Sequence, residues 1–250
     1  MVFWTCHIFK ISPRFDRYTK DVLLSGGKYI YDQANNKRFF LYNDSLQKSF
    51  GGLKIIKFCV DKPLWIFNRE EGINLVKETV SIDACLYEEP VDISNFLAVF
   101  CSADNIKHFI RALEEVVSEK VRQSGEYPEV MRAHPLMPVR FRLKGRETEL
   151  RRYFSNVREL SVRGIKDIYV HGARLRGFSL EESDEYRRYV RDEEISGEVN
   201  YFGMNFRDRV MMLSSEGKIW TRQGKKEIEP NIVAEILKIL HKCDALIVRE

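Results

Sequence analysis

The chain has 250 residues, of which 44% are hydrophobic and 31% charged, and its net charge is +4. This composition is typical of a globular chain with a sizeable core, and it excludes a disordered or collagen-like chain. No apolar run approaches the roughly eighteen residues of a membrane span, and the apolar start MVFWTCHIF has neither the basic leader nor the cleavage site of a signal peptide. We therefore expect a cytoplasmic protein that does not associate with membranes.

The cysteines and the known motifs exclude several kinds of site. The five cysteines form no CxxC pair, and all but one lie in apolar, strand-like runs, which predicts buried thiols rather than a zinc site or a disulfide framework. The sequence contains no GxxxxGK[ST], GxGxxG or GxSxG motif. We expect no metal and no organic cofactor. A high charged fraction with only four Gln is typical of thermophilic proteins.

The first 68 residues predict strands. KYIYDQANNKRFFLY has the form of a hairpin, with aromatic-rich arms on either side of Asn35 and Asn36, because Asn accepts the positive φ of a tight turn. A turn at Asp61-Lys62-Pro63 would separate two further strands. The remaining predicted elements of this part are strands at 53–60 and 64–67, a short helix around 70–78, and strands at 81–88 and 95–102.

The clearest helix is predicted at 104–122. Apolar residues recur there at steps of three and four, Ser102 or Asp104 can cap the start, and Gly125 follows the end. Three of the seven prolines then fall within 123–138, which predicts a connector. We expect one domain over 1–127 and a second over 135–250.

The second half repeats the order of strands followed by a helix. The predicted elements are a strand at 139–144, a helix at 147–163, a strand at 165–175, a charged helix at 181–192, three strands, and a final helix opened by Pro230. In the helix at 147–163, Glu159 would pair with Arg163 four residues later. The pattern predicts an α+β fold with mostly antiparallel sheets, each half closed by an amphipathic helix. The two halves could descend from a duplication.

Charge is distributed unevenly along the chain. Residues 1–60 carry +6, residues 61–131 carry −7, residues 132–178 carry +8, and residues 179–250 carry −3. Such segregation bears on binding partners rather than on the fold.

Two strands in the basic segment alternate apolar and basic residues. In VRFRLKG and HGARLRG the basic side chains share one face of each strand. If these strands paired, five cations would line one side of a sheet and attract a phosphate backbone. The five are Arg140, Arg142, Lys144, Arg174 and Arg176.

The predicted N-terminal hairpin adds basic residues interleaved with aromatic ones. Such interleaving is typical of proteins that bind single-stranded nucleic acid, although strand aromatics more often fill a core. The candidate residues of this hairpin are Lys28, Tyr29, Tyr31, Lys37 and Arg38.

These observations favour a non-enzymatic protein that associates with nucleic acid, with regulation as a candidate role. One alternative is a module that binds a protein partner or a second copy through the acidic segment 61–131. Another is a metal-dependent enzyme acting on nucleic acid or a phosphorylated substrate, because Asp208, Glu216 and Lys218 give the D-x7-E-x-K string of metal-dependent nucleases. The position of Glu216 in a predicted hairpin tip argues against the enzyme.

Replacing Arg140 and Arg142 together with Ala tests the basic row in VRFRLKG. We expect the variant to fold, because the apolar residues of the strand are unchanged, and to bind oligonucleotides of every sequence more weakly. The salt dependence of binding should fall by roughly one unit per lost phosphate contact. Unchanged affinity in a folded variant would contradict a binding role for these arginines.

Overall fold

The chain divides into two compact units. The computed structural model describes residues 5–34, 37–50, 52–70, 72–89, 91–127, 132–222 and 228–248. The N-terminal unit is Phe9–Met137, and the C-terminal unit combines Met1–Ile8 with Pro138–Glu250. The domain limits predicted from the sequence, 1–127 and 135–250, stay a prediction. They differ from this division in placing the first eight residues with the N-terminal half.

The N-terminal unit is an antiparallel meander with helices. Its elements are β1 (Thr5–Ile11, whose first residues belong to the other unit), α1 (Asp16–Leu24), β2 (Gly27–Ala34), β3 (Lys37–Phe50), β4 (Leu53–Asn68), β5 (Gly72–Tyr87), β6 (Phe96–Phe100) and α2 (Ala103–Ser124). Strands β2 to β6 pair with their neighbours in chain order. The predicted hairpin of β2 and β3 is present, and its expected turn at Asn35 and Asn36 lies outside the described residues.

Helix α2 supplies much of the core of this unit. As predicted, Ser102 caps its start by accepting a hydrogen bond from the Asn105 amide, and Gly125 follows its end with a φ of 69°. Phe109 is fully buried, and its ring lies 5.1 Å from that of Phe58 on β4.

The C-terminal unit is a second antiparallel sheet. Its elements are β7 (Leu136–Phe141), α3 (Glu147–Leu150), β8 (Ser155–Arg163), β9 (Gly172–Arg176), α4 (Asp184–Tyr186), β10 (Glu198–Phe206), β11 (Arg209–Ser214), β12 (Lys218–Thr221), α5 (Pro230–Lys242) and β13 (Leu246–Val248). The strand order is β9-β8-β10-β11-β12, with Thr5–His7 of β1 paired to β12, and β7 pairs with β13. The predicted final helix, opened by Pro230, is present. Helix and antiparallel sheet together confirm the α+β class.

Three predictions in the N-terminal half are wrong. Residues 16–24 form a helix rather than strand, residues 72–87 form β5 rather than beginning with a helix, and β4 continues through the expected turn at 61–63. Pro63 is tolerated because, among the described residues, β3 stops pairing with β4 at Val60. Beyond that point one edge of β4 is unpaired among the described residues, and proline is compatible with the edge of a sheet.

Two predictions in the C-terminal half are also wrong. The expected helix at 147–163 ends at Leu150, and 155–163 is β8. Its sequence contains both a helical stripe and an alternating pattern, and β9 and β10 provide backbone partners on both sides of β8. The expected strand at 165–175 is restricted to Gly172–Arg176. Among the described residues, no helix is long and apolar enough to cross a membrane.

Replacing Phe109 with Ala should lower the free energy of unfolding by about 3–5 kcal/mol, because the deletion leaves a cavity against Phe58. Denaturant unfolding measures the change. Lys107→Ala, on the exposed side of the same helix, is the control and should change stability by less than about 0.5 kcal/mol. Equal losses in both variants would contradict the assignment of α2 to the core.

Candidate functional site

One face of the C-terminal sheet collects charged residues from four strands. On β8, Leu160 and Val162 are buried apolar residues, and the residues before each of them, Glu159 and Ser161, point to the opposite face. On that opposite face Glu159 of β8 pairs with Arg176 of β9, and Ser161 pairs with Arg174. The sheet register therefore brings both predicted arginines of β9 beside a single carboxylate.

The Glu159 carboxylate lies at the centre of this group, with only 1% of its side chain exposed. Its Oε1 accepts hydrogen bonds from Arg174 Nε at 2.8 Å and from the Tyr201 hydroxyl at 3.0 Å. Arg176 Nε is 3.3 Å from Oε1, and Arg222 Nε is 3.6 Å from Oε2. We call Glu159, Tyr201 and the three arginines the arginine face.

The charge states within the arginine face follow from these contacts. Burial by itself would raise the pKa of Glu159, but the hydrogen bonds from Arg174 and Tyr201 and the positive charges of Arg174 and Arg176 outweigh it, so that the pKa is lowered. Burial, followed by the contact with Glu159, raises the pKa of Tyr201 to about 12. Three guanidinium groups thus surround one carboxylate, and two positive charges of the arginine face are not balanced within it.

Gly203 on β10 makes room for this arrangement. It lies opposite Glu159 in the sheet. A Cβ atom at this position would come within 2.6 Å of Met212 Sδ and 3.1 Å of Glu159 Cβ. A side chain at residue 203 would therefore displace Met212 and press against Glu159, and glycine leaves the room that this packing uses.

A second carboxylate with basic neighbours lies at the turn between β11 and β12. Glu216 Oε2 accepts a hydrogen bond from Lys218 at 2.7 Å, and Arg163 Nη1 is 4.0 Å from Oε1. Lys218 is the main cause of the lowered pKa of Glu216, and Arg163 and Arg140 contribute. Cations again outnumber the carboxylate.

Strand β12 links the two groups and carries an aromatic ring between them. Lys218, Trp220 and Arg222 alternate with buried Ile219 and Thr221. The partly exposed rings of Trp220 and Tyr201 meet edge to face, with centroids 5.6 Å apart.

The basic row in VRFRLKG has the predicted alternation, with Val139, Phe141 and Leu143 buried. Arg140, Arg142 and Lys144 are exposed. Arg142 Nη1 lies 3.9 Å from Asp244 Oδ2, and Lys144 Nζ donates to Ser196 Oγ at 2.9 Å.

The expected row of five cations on two paired strands is not formed. In the described part of the C-terminal unit, β9 pairs with β8, whereas β7 pairs with β13 and β1. The condition for that row, pairing of the two basic strands, is therefore not met, because β8 and β10 provide the sheet on which β9 lies.

The candidate residues of the N-terminal hairpin lie in the other unit. Lys28 Nζ lies 4.0 Å from the centroid of the Phe40 ring, and Lys37 donates to the Leu75 carbonyl. Tyr29 is half-buried against the core, Tyr31 is only 8% exposed, and Arg38 is exposed. A ring as buried as that of Tyr31 offers no face on which a base could stack.

The D-x7-E-x-K string does not form one site. Asp208 precedes β11 and Glu216 follows it, so about 20 Å of strand separates the two carboxylates. Among the described residues, no three His, Cys, Asp or Glu side chains are grouped so that they could hold a metal ion.

Four residues of this region were not among the sequence-based candidates: Glu159, Tyr201, Trp220 and Arg222. The alternation in KIWTR could have indicated two of them, because Trp220 and Arg222 share the face of Lys218. Glu159 was assigned to a helix and paired with Arg163, and only the sheet register shows that it meets Arg174 and Arg176.

Replacing Glu159 with Gln should lower the free energy of unfolding by about 3 kcal/mol near neutral pH, since buried ion pairs lose a partner. Because folding lowers the pKa of Glu159 below its ordinary value of 4.5, its ionisation stabilises the fold above that pH, and the contribution is lost as the pH falls through the folded-state pKa. The difference in stability between wild type and variant should therefore shrink below about pH 4.5. Thermal unfolding from pH 7 to pH 3 measures it, and a constant difference would contradict the ionised, arginine-bound state.

Comparison with known proteins finds no match for this chain: no protein-family profile, no curated protein and no solved structure matches it.

Proposed function

We propose that this protein binds nucleic acid, without catalysing a reaction on it, through the arginine face of the C-terminal unit. The observation that carries the proposal is the ratio of three arginines to one buried carboxylate. A surface with two unbalanced positive charges attracts phosphate groups and releases their counterions on binding. The neighbouring cations around Glu216 extend the same positive surface.

The planar guanidinium groups favour an anion with several acceptor oxygens, such as phosphate. Arg174, Arg176 and Arg222 keep 57%, 53% and 47% of their side chains exposed while they contact Glu159. Each guanidinium has five N–H donors, so donors remain for a ligand. Because Glu159 already orients these side chains, less rotamer entropy is lost when they bind.

Partly exposed aromatic rings favour a single strand as the form of nucleic acid. Tyr201 and Trp220 lie among the cations, and bases stack on such rings irrespective of sequence. Arg174 and Arg176 are two residues apart on β9, about 7 Å along the strand, so they can contact successive groups of an extended chain. The proposal therefore predicts binding with strong salt dependence and little sequence preference.

The compartment that we propose is the cytoplasm. None of the five cysteines forms a disulfide, and four of them are buried. Reduced thiols in the core are typical of proteins in a reducing compartment.

The double variant Arg176→Gln with Arg222→Gln tests the arginine face. It retains Arg174, which makes the closest contact with Glu159, so the fold should persist. We expect the affinity for a single-stranded oligonucleotide to fall roughly 10-fold at low salt, and the salt slope to decrease by about 0.7 for each lost phosphate contact. Fluorescence anisotropy over a series of salt concentrations measures both quantities.

A matched control separates a local effect from a loss of net charge. Arg187→Gln with Arg207→Gln removes the same charge from the same unit, at arginines that pair with Asp184 and Glu235. This control should bind like the wild type. Equal weakening in both double variants, or no binding by the wild type, would refute the proposed site.

A further inference from the structure

The hairpin of β4 and β5 extends beyond the sheet to which it belongs. The two strands pair over sixteen positions, from Leu53 with Tyr87 to Asn68 with Gly72. Among the described residues, pairing of β3 with β4 ends at Val60, and pairing of β5 with β6 ends at Asp83. The hairpin therefore continues over 61–80 with two strands alone, and we call this part the arm.

The arm exposes large apolar side chains at its end. Phe67 and Ile73 lie directly opposite each other and are 71% and 68% exposed, and Trp65 on the same face is 60% exposed. Leu64 and Ile66 point to the other face and are 41% and 46% exposed. Trp65, Phe67 and Ile73 therefore form a contiguous apolar patch on one face of the ribbon, and such a patch on a surface marks an interaction site.

The arm is nearly neutral, so its charges do not favour a strongly charged partner. Residues 61–80 carry three basic and four acidic side chains. Lys62 pairs with Glu78 at 2.9 Å, and Lys77 pairs with Asp61 at 3.2 Å, both within the arm. A nearly neutral, apolar ribbon with internal ion pairs lacks the positive charge that a phosphate backbone requires.

We propose that the arm is a self-association surface, on which a second copy of this chain pairs its own arm about a two-fold axis. A two-fold axis brings the same patch on both copies together, so an apolar, nearly neutral patch is complementary to itself. The three side chains that share a face, Trp65, Phe67 and Ile73, offer on the order of 400 Å² of apolar surface per chain, given about 150–250 Å² for each aromatic residue, and roughly half of a typical interface is apolar. A stable interface requires about 800 Å² per partner, and the polar rim of the arm can supply the remainder.

This inference is independent of the arginine face, since it concerns the other unit and rests on other side chains. The arm belongs to the acidic segment 61–131, which the sequence suggests as a surface for a second copy. In this proposal the contact is made by apolar residues at the end of the hairpin and not by the acidic side chains.

The double variant Phe67→Glu with Ile73→Glu tests the arm. Both side chains are exposed in the single chain, so their replacement should leave the fold intact while charging the patch on both copies. Sedimentation equilibrium over a concentration series should give the wild type twice the 29.5 kDa chain mass. The variant should sediment as a single chain, with a dissociation constant raised about 100-fold or more.

The control variant is Ile168→Glu with Tyr169→Glu. These side chains, 83% and 89% exposed, lie in the C-terminal unit, and their replacement adds the same charge. The control should remain a dimer. Circular dichroism establishes that each variant is folded. If the double variant unfolds, Trp65→Ser tests the same patch, and it should also weaken the dimer.

Four results would overturn the proposal. They are a wild type that stays a single chain at every concentration, a double variant that still dimerises, a control that dissociates equally, or a single chain whose arm instead binds neutral lipid vesicles.

Discussion

A single buried carboxylate organises the charged face of the C-terminal unit. Removing an ionised glutamate from water costs several kcal/mol, and hydrogen bonds and opposite charges have to offset that cost. Glu159 obtains them from β9, from β10 and from the residue that follows β12, because Arg174, Tyr201 and Arg222 all lie within reach of its carboxylate. The contact therefore holds residues far apart in sequence in one geometry, and it leaves the arginines oriented but incompletely neutralised.

This arrangement gives one group of side chains a structural role and, in the function that we propose, a binding role as well. A carboxylate with a single cation would be balanced, and the pair would contribute to stability alone. Three cations around Glu159 leave an excess, and the half-exposed side chains hold that excess at the surface. Gly203 contributes to the same arrangement, because a side chain there would displace Met212 and press against Glu159.

The N-terminal unit shows a different consequence of sheet geometry. Its core is made where α2 covers the strands, as in the contact of Phe109 with Phe58. The hairpin of β4 and β5 is longer than its neighbours, so its end has no third strand to pair with among the described residues. Two-stranded ribbons are marginally stable in water, and apolar side chains on this one stabilise the protein only when something covers them.

The sequence by itself determined the features that depend on neighbouring residues. The period of its apolar residues and the caps at Ser102 and Gly125 predicted α2, the aromatic arms predicted the hairpin of β2 and β3, and strict alternation predicted which side of VRFRLKG is buried. Only the tertiary structure decided that 155–163 is a strand, that β9 pairs with β8 rather than with β7, and that Glu159 meets three arginines. The physical reason is that a segment with two competing patterns takes the conformation for which distant strands supply hydrogen-bond partners, and those partners are set by the register of the whole sheet.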